Sequence, residues 1–276
     1  MLAGHAGFLP RESQLIAYAS QYVDDAVAHE PMALDRDPGV DFFYDEKEWE
    51  RAALRPKGGL LDLMGDALGI DPEDFRPGVN AEAMKKELGI SPKARVVGMM
   101  GRLGPVKGHD FLQKAAKKVL AAVPDAIFVV IYPDVEACDK FLPALERSRL
   151  RDRFILVGLR ERPADAAQLA EVAVIPSVGS EAHCRVALEW MSLSVPVIGS
   201  RVGVIPEIVE HGKTGFLIQP RYSETIAHCI IKLLTHPGQA SDMGRAGRER
   251  LVDFFSEDRM VEENLEVFFQ AADERN

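Results

Sequence analysis

Two glutamates, Glu181 and Glu189, stand eight positions apart in the stretch SVGSEAHCRVALEWMSLSVPVIGSRVG, residues 177–203. The first follows an apolar run, VAVIPS (172–177), in a Gly/Ser turn. The second lies inside RVALEWMSL (185–193), which reads as a helix. Its neighbours Val186, Leu188, Trp190 and Met191 leave it almost no polar company. Glutamate is rarely buried alone, because desolvating a carboxylate costs several kcal/mol. Glu189 therefore either meets an internal partner or looks into a crevice where a polar ligand reaches it.

Positive groups of the opposite character occur in GRLGPVKGHD, residues 101–110. Arg102 sits at the end of an apolar run, and Lys107 follows five residues later, where a helix begins. Two cations beside the positive end of a helix form a small anion site. Arginine grips a phosphate with two parallel bonds, and lysine adds a compact charge. On this stretch alone the pair reads equally well as ordinary loop cations. The glycines make neither the GxGxxG dinucleotide fingerprint nor a GxxxxGK[ST] phosphate loop. A third segment, GVIPEIVEHGKTGFLI (203–218), opens at Gly203 and enters a short helix near Pro206. Free N–H groups there suit a phosphate or a sugar hydroxyl, Glu207 caps or orients the turn, and HGKTG reads as a hairpin turn.

The elements that position these groups are legible from about residue 90. Apolar runs at 95–101, 126–132, 154–158, 172–176, 195–200 and 214–218 read as strands. Helical patterns at 109–123, 135–150, 164–170 and 185–193 lie between most of them. Strands that are apolar throughout and alternate with helices predict a parallel α/β sheet covered on both faces. Ligands of such sheets bind beyond the carboxyl ends of the strands, which is where Glu181 falls. The tail reads as helical at 222–237, 239–255 and 256–273, with Ser256 opening the last helix. Residues 1–75 offer one helix (11–29) and no clear strand, and read as an appendage. His109 falls in a first helical turn, Cys184 and Trp190 read as packed, and Asp134 reads as a helix N-cap.

Composition excludes several classes. The chain has 276 residues, 47% hydrophobic and 28% charged, with a net charge of −10. That charge argues against broad nucleic-acid binding, which needs a basic surface. Cys138, Cys184 and Cys229 match no CxxC spacing, so a reduced, intracellular setting is expected. No apolar run approaches the length of a membrane span, and the N-terminus carries no signal-peptide pattern.

Put in order, the motifs resemble the C-terminal, donor-binding domain of retaining GT-B glycosyltransferases, the group 1 or family-four class. Glu181 and Glu189 with LEWM and PVIG look like its E-x7-E motif. GRLGPVKGHD is similar to its GRL-x-x-x-KG segment, and GVIPEIVEHGKTGFLI to its loop and strand after the motif. The resemblance runs from about Phe75 to Phe269. It implies a Rossmann-like nucleotide-sugar-binding domain at 76–276, and a truncated or absent N-terminal domain, with 1–75 holding its remnant and linker. It also implies roles. Arg102 and Lys107 hold the diphosphate of a UDP- or GDP-linked sugar, Glu189 accepts the ribose hydroxyls, and Glu181 faces the donor sugar. Gly203 lets backbone approach the sugar, and Leu159 and Arg160 lie near the base. Ala182, His183 and Arg185 stand where the family has a Gly-Phe-Gly-like run, so Arg185 is expected to touch a phosphate or carboxylate. Val204 replaces a second glycine and is expected to narrow the approach to the ligand. Tyr132-Pro133-Asp134 replaces a Gly-x-Gly.

The activity implied is retaining, metal-independent sugar transfer to a glycan or lipid-linked acceptor, with this chain as the donor-binding half and no further cofactor. A partner chain supplying the acceptor domain, a cytoplasmic location and a peripheral place at the inner membrane face go with it. A nucleotide-sugar-binding module without its own transfer activity is the alternative. A GT-B epimerase ranks third.

Overall fold

The computed structural model describes residues 69–76, 81–132, 138–158, 163–179, 181–262 and 265. Six strands form one sheet: β1 (Arg95–Met100), β2 (Ala126–Tyr132), β3 (Phe154–Gly158), β4 (Val172–Ile175), β5 (Val197–Ser200) and β6 (Gly215–Ile218). Every pairing is parallel, and the order across the sheet is β3-β2-β1-β4-β5-β6. All six expected strands are present, each within two residues of its expected ends. The predicted Rossmann-like α/β class is therefore the observed one.

The helices are α1 (Ala81–Glu87), α2 (His109–Ala122), α3 (Cys138–Arg147), α4 (Pro163–Ala167), α5 (Arg185–Ser192), α6 (Ile205–Ile208), α7 (Ser223–Thr235) and α8 (Pro237–Phe254). Successive strand residues point to opposite faces. One face carries Val97, Met99, Phe128, Val130, Val172, Val174 and Ile198, packed with Leu112 and Val119 of α2 and Ile230 and Leu233 of α7. On the other face Trp190 of α5 lies over β1. A Cβ on Gly98 would come 2.6 Å from the indole ring, so that strand position must be glycine. Both faces are covered, as strands apolar on both sides require.

Some boundaries differ from the sequence reading. The helix expected at 135–150 is described only over Cys138–Arg147, with Pro143 inside it. The last long helix starts at Pro237, not 239, because proline is preorganised for the first helical position. Ser256 does not simply open a helix. It forms a parallel bridge with Ile70, the Ile70 N–H donating to the Phe255 carbonyl at 3.1 Å and the Glu257 N–H to the Ile70 carbonyl at 3.0 Å. The helix resumes at 257–262. Segment 69–75, expected in the appendage, thus packs on the domain: Ile70 and Phe75 are buried, and the Ser192 hydroxyl donates to the Pro72 carbonyl at 3.1 Å. The chain divides into compact units Met1–Met64 and Gly65–Asn276, and every described residue belongs to the second. The helix predicted at 11–29 lies outside the described residues, as does Asp134.

Candidate functional site: the crevice between β1 and β4

β1 and β4 are neighbours, yet the chain leaves β1 toward β2 on one side and β4 toward β5 on the other. The loops after the two strands therefore diverge and open a crevice at the carboxyl edge, the switch point of a doubly wound sheet. A narrow cleft there is lined by Met99, Met100, Lys107, Ser177, Glu181 and Cys184, among others. Both motifs singled out in the sequence reach it.

Three loops are pinned to one another at this point. The loop after β1 ends in a 3-10 turn, Pro105–Lys107, closed by Gly108 at φ 75°. A Cβ on Gly108 would lie 1.9 Å from the Pro176 carbonyl oxygen, so only glycine lets the start of α2 meet the end of β4. The Val178 N–H donates to the Val106 carbonyl at 2.8 Å and fastens the same two loops. Lys107 then reaches Glu181, Nζ to Oε1 at 2.5 Å. The Ser177 hydroxyl donates to that same oxygen, also at 2.5 Å. The third loop arrives behind Glu181, whose carbonyl accepts the Val204 N–H at 2.9 Å.

Gly203 stands at φ 54°, and a Cβ there would lie 2.0 Å from the Glu181 carbonyl oxygen. Its close approach is thus to Glu181. The expectation for Val204 is overturned: its side chain is fully buried in the protein and does not stand in the crevice.

Glu181 is 5% exposed and Ser177 wholly buried, so the carboxylate is held among fixed donors in a dry setting. Glu189 sits on α5 with its side chain 14% exposed, and its internal partner is Arg185, Nε to Oε1 at 3.3 Å. Burial pushes the Glu189 carboxyl up, and the Arg185 guanidinium offsets part of that. Arg185 itself is exposed, as are Ala182 and His183 in the turn before it. Arg102 is exposed and forms no ion pair or hydrogen bond among the described residues. Leu159 and Arg160 lie outside the described residues.

Two residues were missed as site residues. Ser177 is the last residue of the VAVIPS run, and its hydroxyl four positions before Glu181 was the available signal. His109 is 4% exposed, with Nδ1 at 3.3 Å from the Gly104 carbonyl and its ring edge-on to Phe141. Burial lowers it to about 4, so it is neutral and its Nδ1–H braces the loop that carries Lys107. Cys184 is the N-cap of α5 in the left-handed region, φ 41°. Burial first, then the Glu181 carboxylate, pushes its thiol up, which makes it inert.

The arrangement puts cations (Arg102, Lys107) and hydroxyl-accepting carboxylates (Glu181, Glu189) on the loops and helix of one sheet edge. Cations and hydroxyl-accepting carboxylates on one edge have the chemistry to meet a ligand both anionic and rich in hydroxyls. Comparison with known proteins gives the family. Residues 80–250 match the sequence profile of the family "Glycosyl transferases group 1", and the chain belongs to that family. It is 27% identical over 194 residues to N-acetyl-alpha-D-glucosaminyl L-malate synthase of Bacillus anthracis, covering 70% of this chain and 50% of the other. It is 31% identical over 185 residues to D-inositol 3-phosphate glycosyltransferase of Segniliparus rotundus, covering 65% and 40%. Among solved structures, Anabaena HepE in complex with UDP superposes with a TM-score of 0.66 at 21% identity, over 74% of this chain and 56% of that one. The fold is that of the GT-B C-terminal half. The chain spans about half the length of the curated relatives it matches. Among the described residues no helix is long and apolar enough to cross a membrane.

Proposed function

We propose that this domain binds a UDP- or GDP-linked sugar in the β1/β4 crevice and supplies the donor half of a retaining, metal-independent sugar transfer. The observation that carries the reading is the convergence of Lys107 and Glu181, from the two motif segments, at the switch point of the sheet. The family and a relative solved with UDP support it.

Arg102 and Lys107 hold the diphosphate, with Arg185 beside them, and Glu189 accepts the ribose hydroxyls. Glu181 faces the donor sugar, Ala182 and His183 flank it in the turn, and Gly203 keeps Glu181 in place from behind. Leu159 and Arg160 contact the base. When the bond from the anomeric carbon to the phosphate oxygen breaks, its electron pair goes to the leaving diphosphate. Fixed cations stabilise that growing charge without reorganising. The acceptor hydroxyl attacks the anomeric carbon from the face the diphosphate leaves, and its proton passes to a phosphate oxygen. Configuration is thereby kept.

The acceptor, a glycan or lipid-linked glycan, is held by a partner chain or by chain outside the described residues. The protein acts in the cytoplasm, at the inner membrane face where the acceptor is lipid-linked. A nucleotide-sugar-binding module without transfer activity is the second reading. The test is product analysis after incubation with UDP- and GDP-sugars and simple glycosides. An α-linked product from an α-linked donor supports retaining transfer. An altered donor sugar supports epimerisation, and an unchanged bound donor leaves the module reading.

A further inference from the structure

Lys107 and Ser177 converge on the same oxygen of Glu181, but they are not equivalent. Lys107 is 29% exposed on its side chain and comes from the loop after β1, so a bound anion can draw its ammonium away. Ser177 is wholly buried, two residues past β4, and its hydroxyl has no solvent to turn to. A carboxylate 5% exposed that loses Lys107, its one cation partner among the described residues, needs another fixed donor, or it rotates.

We propose that Ser177 is the positioning residue of this site: its Oγ–H holds Oε1 of Glu181 when the donor diphosphate takes Lys107. It keeps the carboxylate aimed, with the second oxygen turned toward the sugar hydroxyls. Buried hydrogen bonds to a charged group are the ones whose loss is felt most. The hydroxyl therefore acts on recognition of the sugar and hardly on recognition of the nucleotide. This inference rests on the nucleotide-sugar reading of the crevice.

The experiment is calorimetric titration of the purified chain with each nucleoside diphosphate (UDP, GDP) and with the matching nucleotide-glucose. It is done for wild type, Ser177→Ala, Glu181→Ala and the double variant, with melting temperatures beside them. Ser177→Ala removes one buried atom and creates no clash, and Ser177→Thr restores the hydroxyl. The expected result is that Ser177→Ala leaves nucleoside diphosphate affinity within about twofold and weakens nucleotide-sugar affinity about tenfold. The Thr variant regains part of the loss. On the Glu181→Ala background the Ser177→Ala effect vanishes, since its target is gone. Equal weakening of both ligands, or an effect that persists without Glu181, would mean Ser177 is only structural and overturns the proposal. No binding of any nucleotide by the wild type is a different failure: it refutes the nucleotide-sugar reading beneath it.

Discussion

Lys107 and Glu181 are 74 residues apart in the chain, and their side chains meet at 2.5 Å across the crevice between β1 and β4. Parallel pairing of β1 with β4 makes that meeting possible, because it sets the two carboxyl ends side by side. The pair also shows an asymmetry. Glu181 is deeply buried and cannot turn to water, whereas the Lys107 ammonium can.

The asymmetry predicts unequal costs. Lys107→Met leaves a buried carboxylate short of its cation and should destabilise the domain by about 2–3 kcal/mol. Glu181→Gln leaves a partly exposed lysine that water can solvate, and should cost about 1 kcal/mol or less. Urea unfolding of the two variants checks the order. Equal losses would contradict it.

Glycine is required at Gly203 by two independent facts: φ of 54° and a carbonyl 2.0 Å from where a Cβ would stand. Gly203→Ala should cost about 2 kcal/mol or more, and weaken nucleotide-sugar binding as Glu181 shifts. Gly179→Ala, where a Cβ meets nothing within 4 Å, is the control and should cost little.

The N-cap of α5 is a left-handed Cys184, a conformation that disfavours branched side chains. Cys184→Gly should stay within about 1 kcal/mol of wild type, strain relief offsetting lost packing. Cys184→Val should lose about 2 kcal/mol. Thermal melts of the two decide it.

Acid should weaken the fold above the range where carboxylates titrate. Burial lowers both His109 and His211 from 6.5 to about 4. Each group binds its proton more readily in the unfolded chain, so the stability it contributes is full above about pH 6.5. That stability is lost as pH falls toward 4. His109 is the more buried, and its share approaches about 3 kcal/mol. Glu189, pushed up by burial, acts in the opposite sense as pH rises through the carboxylate range. Unfolding free energies between pH 7 and 4.5 should fall in wild type and fall less in His109→Phe. An identical slope in the variant would remove His109 from the account.

Much of this was legible beforehand. The six strands are short apolar runs bounded by glycine, proline and polar turns, and the crossovers carry helical periodicity, so type and position followed from pattern. Glu181 at a strand end and Lys107 at a helix start followed from that. The order of the strands did not. Nothing local in β1 or β4 says that they are neighbours, so the Lys107–Glu181 pair stayed hidden although both residues were singled out. Ser177 was missed for the same reason: a lone serine after a strand has no periodic signature, and its role exists only through its partner. Val204 was misjudged because an aliphatic side chain in a site loop can point either way, and here the Glu181 carbonyl draws the Val204 N–H toward itself and leaves the side chain to the core. Segment 69–75 went to the appendage because its bridge, Ile70 to Ser256, joins residues far apart in sequence.

The most direct measurement of the central claim is calorimetric titration of the chain with UDP, GDP and ADP, beside Arg102→Ala and Glu189→Ala. Arg102 is exposed and makes no hydrogen bond or ion pair among the described residues, so its replacement should leave the melting temperature unchanged. The account predicts that one nucleotide binds to the wild type, and that binding falls at least tenfold in both variants while the fold persists. Binding that survives in both variants, or no binding by a folded wild-type chain, would contradict it.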